Sequence, residues 1–339
     1  MLRFARLCLL ALAAVAAVLL LLHGTDRQLD LASGQKLARM EQLSRRGDGI
    51  DLVTIGSSRT LFHLMPDVMD STLAAHGYPA RSFNYGLLGT PATEISYGVD
   101  RVLQADLPDL QTIVVELQPL PLRELHWHPL TRKGAYHFDA KRVAFGLQAA
   151  RAADLTPAEA RAAYARFLRL GLRHYTEAGQ GTNLARSWLQ PPGRQGKRQD
   201  ARGFTPLART GPTSTDQLGR VQERYDELLA SLPGDREARP SAVDAVIADH
   251  FLGLQATAAE HGVRVLFMVQ PMTTGLEGIA ALMEREGAVV IRMNDPADYP
   301  ALYDLELWYD GSHLAAHGAR MLSDMAARAM AEALARADG

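Results

Sequence analysis

The sequence predicts an α/β protein with a parallel sheet flanked by helices and interrupted by a helical insertion. Three observations carry this. Short runs rich in β-branched and apolar residues occur at Asp51–Gly56 (DLVTIG), Thr112–Leu117 (TIVVEL) and Val263–Val269 (VRVLFMV). Stretches of helical period separate them, which is the βαβ signature. Between about 120 and 240 the alternation stops, and the chain becomes polar, helical and loop-rich without a strong strand.

Taken in order, residues 28–46 combine a helical period with mixed charge and suit a stalk or first helix. The strand at 51–56 leads to a helical stretch over 61–76. Ser82-Phe83-Asn84-Tyr85 then enters a glycine-containing turn, Gly86 to Pro91. A helix over 92–106 precedes the strand at 112–117. Inside the insertion, Ala-rich helices are expected over 139–153 and 156–173. The segment 191–216 (with PPGRQGKRQDARG and GPTSTD) is breaker-rich and reads as a loop. The α/β pattern resumes with a helix near 241–261, the strand at 263–269, a helix over 275–286, a strand at Ala288–Ile291 and a last helix at about 314–336. No repeat of fixed period is present.

The chain has 339 residues, 36 Lys+Arg and 38 Asp+Glu, for a net charge of -2. No basic excess points to a nucleic-acid partner. Cys8 is the single cysteine, which excludes a disulfide scaffold, a CxxC redox enzyme and a zinc finger. Residues 7–22 are sixteen apolar residues without a break, preceded by Arg3 and Arg6. As a helix they span roughly 24 Å, slightly short of a ~30 Å hydrocarbon core. A cleaved signal peptide and an uncleaved anchor compete. The run ends Leu22-His23-Gly24-Thr25, with no small-residue cleavage pattern. The expectation is an anchor over 1–24, a periplasmic stalk helix over 25–50 and an α/β domain over 51–339 with its insertion at about 120–240. The arginines keep the N-terminal end in the cytoplasm. This makes a single-pass inner-membrane protein with an extracytoplasmic domain.

Gly56-Ser57-Ser58-Arg59 follows the first strand directly. Carboxyl ends of parallel strands are where such sheets place ligands. Taken alone this is weak, since serine is a good helix N-cap and Thr60 stands where a nucleophile elbow wants a second glycine. Asp310-Gly311-Ser312-His313 opens the last helix. A nucleophilic serine needs a base, and the base needs an orienting carboxylate. An Asp three residues before a His can reach its Nδ1, leaving Nε2 for a distant serine.

Together these blocks resemble the SGNH/GDSL hydrolase superfamily, over residues 51–320 apart from the insertion. The resemblance implies a three-layer, flavodoxin-like fold with Ser58 as nucleophile, His313 as base and Asp310 as its orienting acid; Ser57 replaces the family's Asp. Asn84-Tyr85-Gly86-Leu87-Leu88-Gly89 looks like the family's second block, with Gly89 as the better match for the oxyanion donor and Asn84 beside it. The family's third block supplies an Asn to the oxyanion hole, where this chain has Glu116-Leu117-Gln118-Pro119. Either Gln118 replaces it, or the Ser58 and Gly89 amides suffice for a slow reaction, or the fold is inactive.

The phrases GSSR, SFNYGLLGT and VVELQP are more like the membrane-anchored branch of alginate O-acetylation and teichoic-acid D-alanylation proteins. That likeness implies acyl transfer to, or removal from, an envelope glycan beside a multi-spanning membrane O-acyltransferase, with no cofactor. Two other readings stand beside it: a non-catalytic glycan-binding accessory protein and a secreted esterase or lipase.

Other residues carry weaker signals. Arg59 is a candidate contact for an anionic substrate group, or an ion-pair partner. His313 and His317, with Asp310 close, have zinc-like spacing but no third His or Cys nearby, so no metal is expected. His126-Trp127-His128 suits a sugar-stacking loop or a buried anchor. Arg194, Lys197, Arg198 and Arg202 form a local basic segment, by default a solvated loop.

Overall fold

The computed structural model describes residues 6, 32–122, 135–176, 200–207, 222–223, 225–227, 229–230 and 239–338. The apolar run at 7–22, the His126-Trp127-His128 loop and Arg194, Lys197 and Arg198 lie outside them. Among the described residues no helix is long and apolar enough to cross a membrane. The chain divides into two compact units. One takes residues 36–120 and 196–339, the other 1–35 and 121–195.

The larger unit is α/β. Its elements run α1 (Ala32–Arg45, from Lys36 onward), β1 (Leu52–Gly56), α2 (Ser58–His63), α3 (Pro66–Ala75), β2 (Ser82–Gly86), α4 (Ala92–Leu103) and β3 (Thr112–Glu116). In the other unit follow α5 (Ala140–Ala152) and α6 (Pro157–Thr176). The α/β unit then continues with α7 (Ala242–Glu260), β4 (Arg264–Val269), α8 (Glu277–Arg285), β5 (Val290–Arg292) and α9 (Ala316–Asp338). The five strands form one sheet in the order β2-β1-β3-β4-β5, and every pairing is parallel. Helices α3 and α9 pack together on one face, and α4, α7 and α8 on the other.

Strand side chains alternate between these two cores. Leu52, Val114, Leu266 and Met268 join Met69, Leu73, Trp308, Leu322 and Met330 under α3 and α9. Ile55 meets α4, where a Cβ on Gly98 would touch it at 3.4 Å. Phe267 meets Phe251 of α7 edge to face at 6.1 Å. Strands covered on both sides read as continuous apolar runs rather than alternating ones, which is why β1, β3 and β4 are visible in the sequence. The chain leaves β1 for β2 on one side and reaches β3 on the other. The crevice beyond the carboxyl ends of β1 and β3 is therefore the topological switch point, where ligands bind in open α/β sheets.

Three expectations change. The helical stretch at 61–76 is two helices, and the first begins at Ser58, capped by the Ser57 side chain. Leu64 and Met65 are extended before Pro66, because proline's ring disfavours helical backbone in the residue before it. Ser82–Gly86 is a strand, not a lead-in to a turn. The stalk helix is folded onto the unit: Met40 is fully buried, Leu37 and Leu43 are buried, and Lys36 Nζ donates to the carbonyls of Asn84 (2.7 Å) and Gly203 (2.8 Å).

The insertion is also shorter than expected, because residues from 196 onward belong to the α/β unit. Among them, Arg202 accepts the Asn84 amide through its carbonyl at 2.8 Å and so covers the free edge of β2. Its guanidinium pairs with Asp67 and Asp70 instead of joining a solvated basic loop. The separate helical unit is a hairpin of α5 and α6 around Phe138, Ala150, Ala163, Phe167 and Leu170.

Lys36 makes a pH-dependent clasp of this edge. Burial lowers its pKa from 10.5 to about 7, against the opposing charge of Asp200. Between those values the unfolded chain holds a proton that the folded chain has lost, so this group makes stability rise with pH across that window. Urea denaturation of wild type and Lys36→Met is expected to show a stability difference that grows in wild type's favour from pH 7 to 10.5. A difference independent of pH would show that Lys36 is charged in the fold.

Candidate active site

The site is built at the end of β1. Gly56 closes the strand, Ser57 caps α2 and Ser58 is the first helical residue. A Cβ on Gly56 would lie 2.7 Å from the Glu116 Cβ, so no larger residue fits between β1 and β3. Glu116 ends β3 and is buried. Its carboxylate accepts the Ser57 amide (2.7 Å), the Ser57 hydroxyl (2.8 Å) and the Thr60 hydroxyl (2.6 Å). One acid thus ties the serine turn to the neighbouring strand. Thr60, which displaces the second glycine of an elbow motif, is part of this brace.

The Ser58 amide stands apart from its neighbours. The Arg59 amide donates to the Ser57 side chain at 3.2 Å and the Thr60 amide to Glu116 at 3.4 Å. The Ser58 amide has no acceptor among the described residues. The loop after β2 is tied to the same place, because the Leu87 amide donates to the Gly56 carbonyl at 3.0 Å. The Thr90 hydroxyl closes that loop on Leu87 O at 2.9 Å. Gly89 takes a φ of +57° there, a left-handed conformation that glycine adopts without strain. Its amide likewise has no acceptor among the described residues.

The C-terminal block meets this turn across 255 positions: His313 Nε2 lies 2.8 Å from Ser58 Oγ. On the other side of the ring, Nδ1 lies 3.0 Å from Asp310 Oδ2 and 3.1 Å from Oδ1. The Asp310 carboxylate also accepts the amides of Ser312 and His313, each at 2.8 Å. Partial burial works to raise its pKa. The hydrogen bond and charge of His313, with the Ser312 donors, outweigh that and hold the carboxyl well below the usual range. A permanently ionised Asp310 keeps the proton on Nδ1, so Nε2 offers its lone pair to the Ser58 hydroxyl. Phe62 packs edge to face on the His313 ring at 5.4 Å.

The remaining candidates separate. Asn84 is fully buried and not available to a ligand. Both its Nδ2 hydrogens are used, on Thr60 O and Leu64 O at 2.7 Å, and its Oδ1 accepts the Gly86 amide at 2.8 Å. It braces α2 against β2 and is removed from the oxyanion set. Gln118 donates one side-chain N–H to Glu116, so it supports the brace. Arg59 donates to the Met272 carbonyl at 3.2 Å, which ties α2 to the turn after β4. Met272 is buried at a φ of 56°, an uncommon conformation outside glycine. His317 bonds the Glu306 carbonyl at 2.9 Å. Among the described residues no three His, Cys, Asp or Glu side chains group as metal ligands.

Sequence reading missed Glu116, His63 and Gln270. Glu116 sat inside TIVVEL, where an acid ending a buried strand at the switch point was the available signal. His63 and Gln270 carry no motif. Comparison of the chain with models of known protein families, with curated proteins and with solved structures finds no match.

Proposed function

We propose that the protein is a serine-dependent acyl-transfer enzyme of the SGNH type. Its reaction is transfer of an acyl group, acetyl by preference, to or from a cell-envelope glycan. The single observation that carries this reading is the Ser58–His313–Asp310 contact chain at the carboxyl edge of the sheet. Both spacings fall in the range a nucleophile, base and orienting acid require.

In this mechanism Ser58 Oγ attacks the acyl carbonyl carbon and its proton passes to His313 Nε2. The carbonyl oxygen becomes an oxyanion between the Ser58 and Gly89 amides. The leaving alcohol takes the proton back from His313 as the tetrahedral intermediate collapses to an acyl-Ser58 ester. A glycan hydroxyl or water, deprotonated by the same His313, then attacks that ester and releases Ser58. Asp310 stays ionised throughout. No cofactor is required by these steps. The apolar run at 7–22 would hold the enzyme at the inner membrane with the domain outside the cytoplasm, beside a membrane O-acyltransferase that supplies or receives the acyl group.

One observation favours a second reading. The Asn of the family's third block is missing and Gln118 spends one N–H on Glu116, and losing one oxyanion donor typically costs about 10²–10³ in rate. A glycan-binding accessory protein with a silent triad would tolerate that loss.

A fluorophosphonate that esterifies activated serines separates the two. Incubation of the full chain followed by peptide mapping is expected to place one adduct on Ser58, and Ser58→Ala is expected to take none. A folded wild type that stays unlabelled over hours would leave the accessory reading in place of the enzyme.

A further inference from the structure

Among the described residues, His63 is the one fully buried histidine that the mechanism above does not use. It ends α2, six positions after Ser57, and its ring stands edge-on to Trp308 and to His313, with centroids 6.2 Å away in each case. Its two nitrogens have different partners. The Leu314 amide donates to Nε2 at 3.0 Å, so Nε2 carries a lone pair and the proton sits on Nδ1. That Nδ1–H faces Gln270 Oε1 at 3.3 Å. Gln270 is fully buried at the end of β4, and its amide is turned away toward the Met268 sulfur at 3.6 Å. An amide oxygen in that place accepts a proton and specifies one neutral tautomer.

The bond falls at a telling position. The His313 amide is held by Asp310 Oδ1 at 2.8 Å, and the His313 carbonyl accepts the Tyr309 amide at 2.7 Å. Leu314 N–H is the other half of that same peptide unit, and His63 holds it. Both peptide units flanking His313 are therefore anchored, leaving its side-chain torsions to be set by Asp310 and Ser58.

We propose that His63 is the positioning residue for the base: its unprotonated Nε2, oriented by Gln270, anchors the Leu314 amide and thereby presents His313 to Ser58. This rests on the reading of Ser58 and His313 as nucleophile and base. Charge supports the same role. The charged groups facing His63 are Arg59 on its own helix and His313 and Asp310 on the closing turn. Burial first, then His313 and Arg59, drive its pKa well below the ordinary histidine value. A cationic His63 would oppose the imidazolium that forms on His313; at their separation and an effective dielectric of about 20 the penalty is roughly a hundred-fold in rate.

The test uses the full chain, a fluorophosphonate probe and NMR of the histidine rings. The ¹⁵N shifts of His63 are expected to keep the neutral Nδ1–H pattern between about pH 5 and 8. His63→Leu is expected to slow labelling of Ser58 about 10²-fold, the scale of an ångström misplacement. It should also remove the low-field His313 Nδ1–H resonance given by the bond to Asp310. Glutamine places an oxygen near the histidine Nε2 position, so His63→Gln is expected to return labelling to within about tenfold of wild type. Should His63→Leu not fold, Gln270→Leu carries the test, with a mixed His63 tautomer and slower labelling expected.

A His63→Leu protein with the wild-type resonance and labelling rate would overturn the proposal. So would a His63→Gln protein as impaired as His63→Leu, or a Gln270→Leu protein with an unchanged His63 tautomer. If wild type itself takes no label, the nucleophile assignment fails, while the His313 resonance still judges His63 independently.

Discussion

His313→Ala is expected to slow acylation of Ser58 by about 10⁶-fold and Asp310→Asn by about 10⁴-fold, the sizes seen when a serine hydrolase loses its base or the acid behind it. The difference has a structural cause. His313 Nε2 is the atom 2.8 Å from Ser58 Oγ, and without it no group in this geometry removes the hydroxyl proton. Asp310 acts through the tautomer. Asparagine at 310 still accepts the backbone amides of 312 and 313 through its oxygen. It can turn its NH₂ toward Nδ1, however, which would put the imidazole proton on Nε2, facing the nucleophile. The measurement is the second-order rate constant for fluorophosphonate labelling, with hydrolysis of an activated acetyl ester as a second readout. Equal, modest losses of about tenfold for both variants would mean that the triad is an arrangement of polar side chains and not the catalytic apparatus.

Glu116→Leu is expected to destabilise the α/β unit by about 3–5 kcal/mol, read as a lower urea midpoint at unchanged slope. The carboxylate accepts the Ser57 amide and the Ser57 and Thr60 hydroxyls in a site closed to water. Leucine leaves those donors buried with no acceptor, and a buried unsatisfied group commonly costs about 1–3 kcal/mol. Glu116→Gln keeps the shape and one acceptor and is expected to cost about half as much. Because the brace holds the turn that carries Ser58, labelling of the folded fraction should fall with it. A Glu116→Leu protein within about 1 kcal/mol of wild type would show that the turn is held by Ser57 capping alone.

Much of this architecture is legible in the residues. Strands β1, β3 and β4 announce themselves because each is covered on both faces and so must be apolar throughout. The GSSR and DGSH blocks are legible because their chemistry needs specific side chains at specific strand ends. Strand β2 is not, since SFNYG mixes polar and aromatic residues. It is an edge strand, paired by β1 on one side and covered through Arg202 on the other, and neither partner is a local property of that segment. The break at Leu64–Met65 was readable from Pro66, whereas the early start of α2 depended on Ser57 finding a cap role beside Glu116.

By itself, the sequence determined the α/β class, four of the five strands and three residues that the fold brings into contact. These follow from local physics: hydropathic period, proline and glycine constraints, and the short reach of Asp310 to His313. Tertiary structure alone decided the rest. It took Asn84 out of the oxyanion set by using its amide on Thr60 and Leu64. It turned a presumed stalk into a packed helix through Lys36, and it set His63 and Gln270 behind His313. Each of these depends on which buried donor finds which acceptor. A buried polar group must be satisfied by whatever the fold brings near it, and those partners, from 20 positions apart for Asn84 and Leu64 to 251 for His63 and Leu314, leave no trace in the neighbouring sequence.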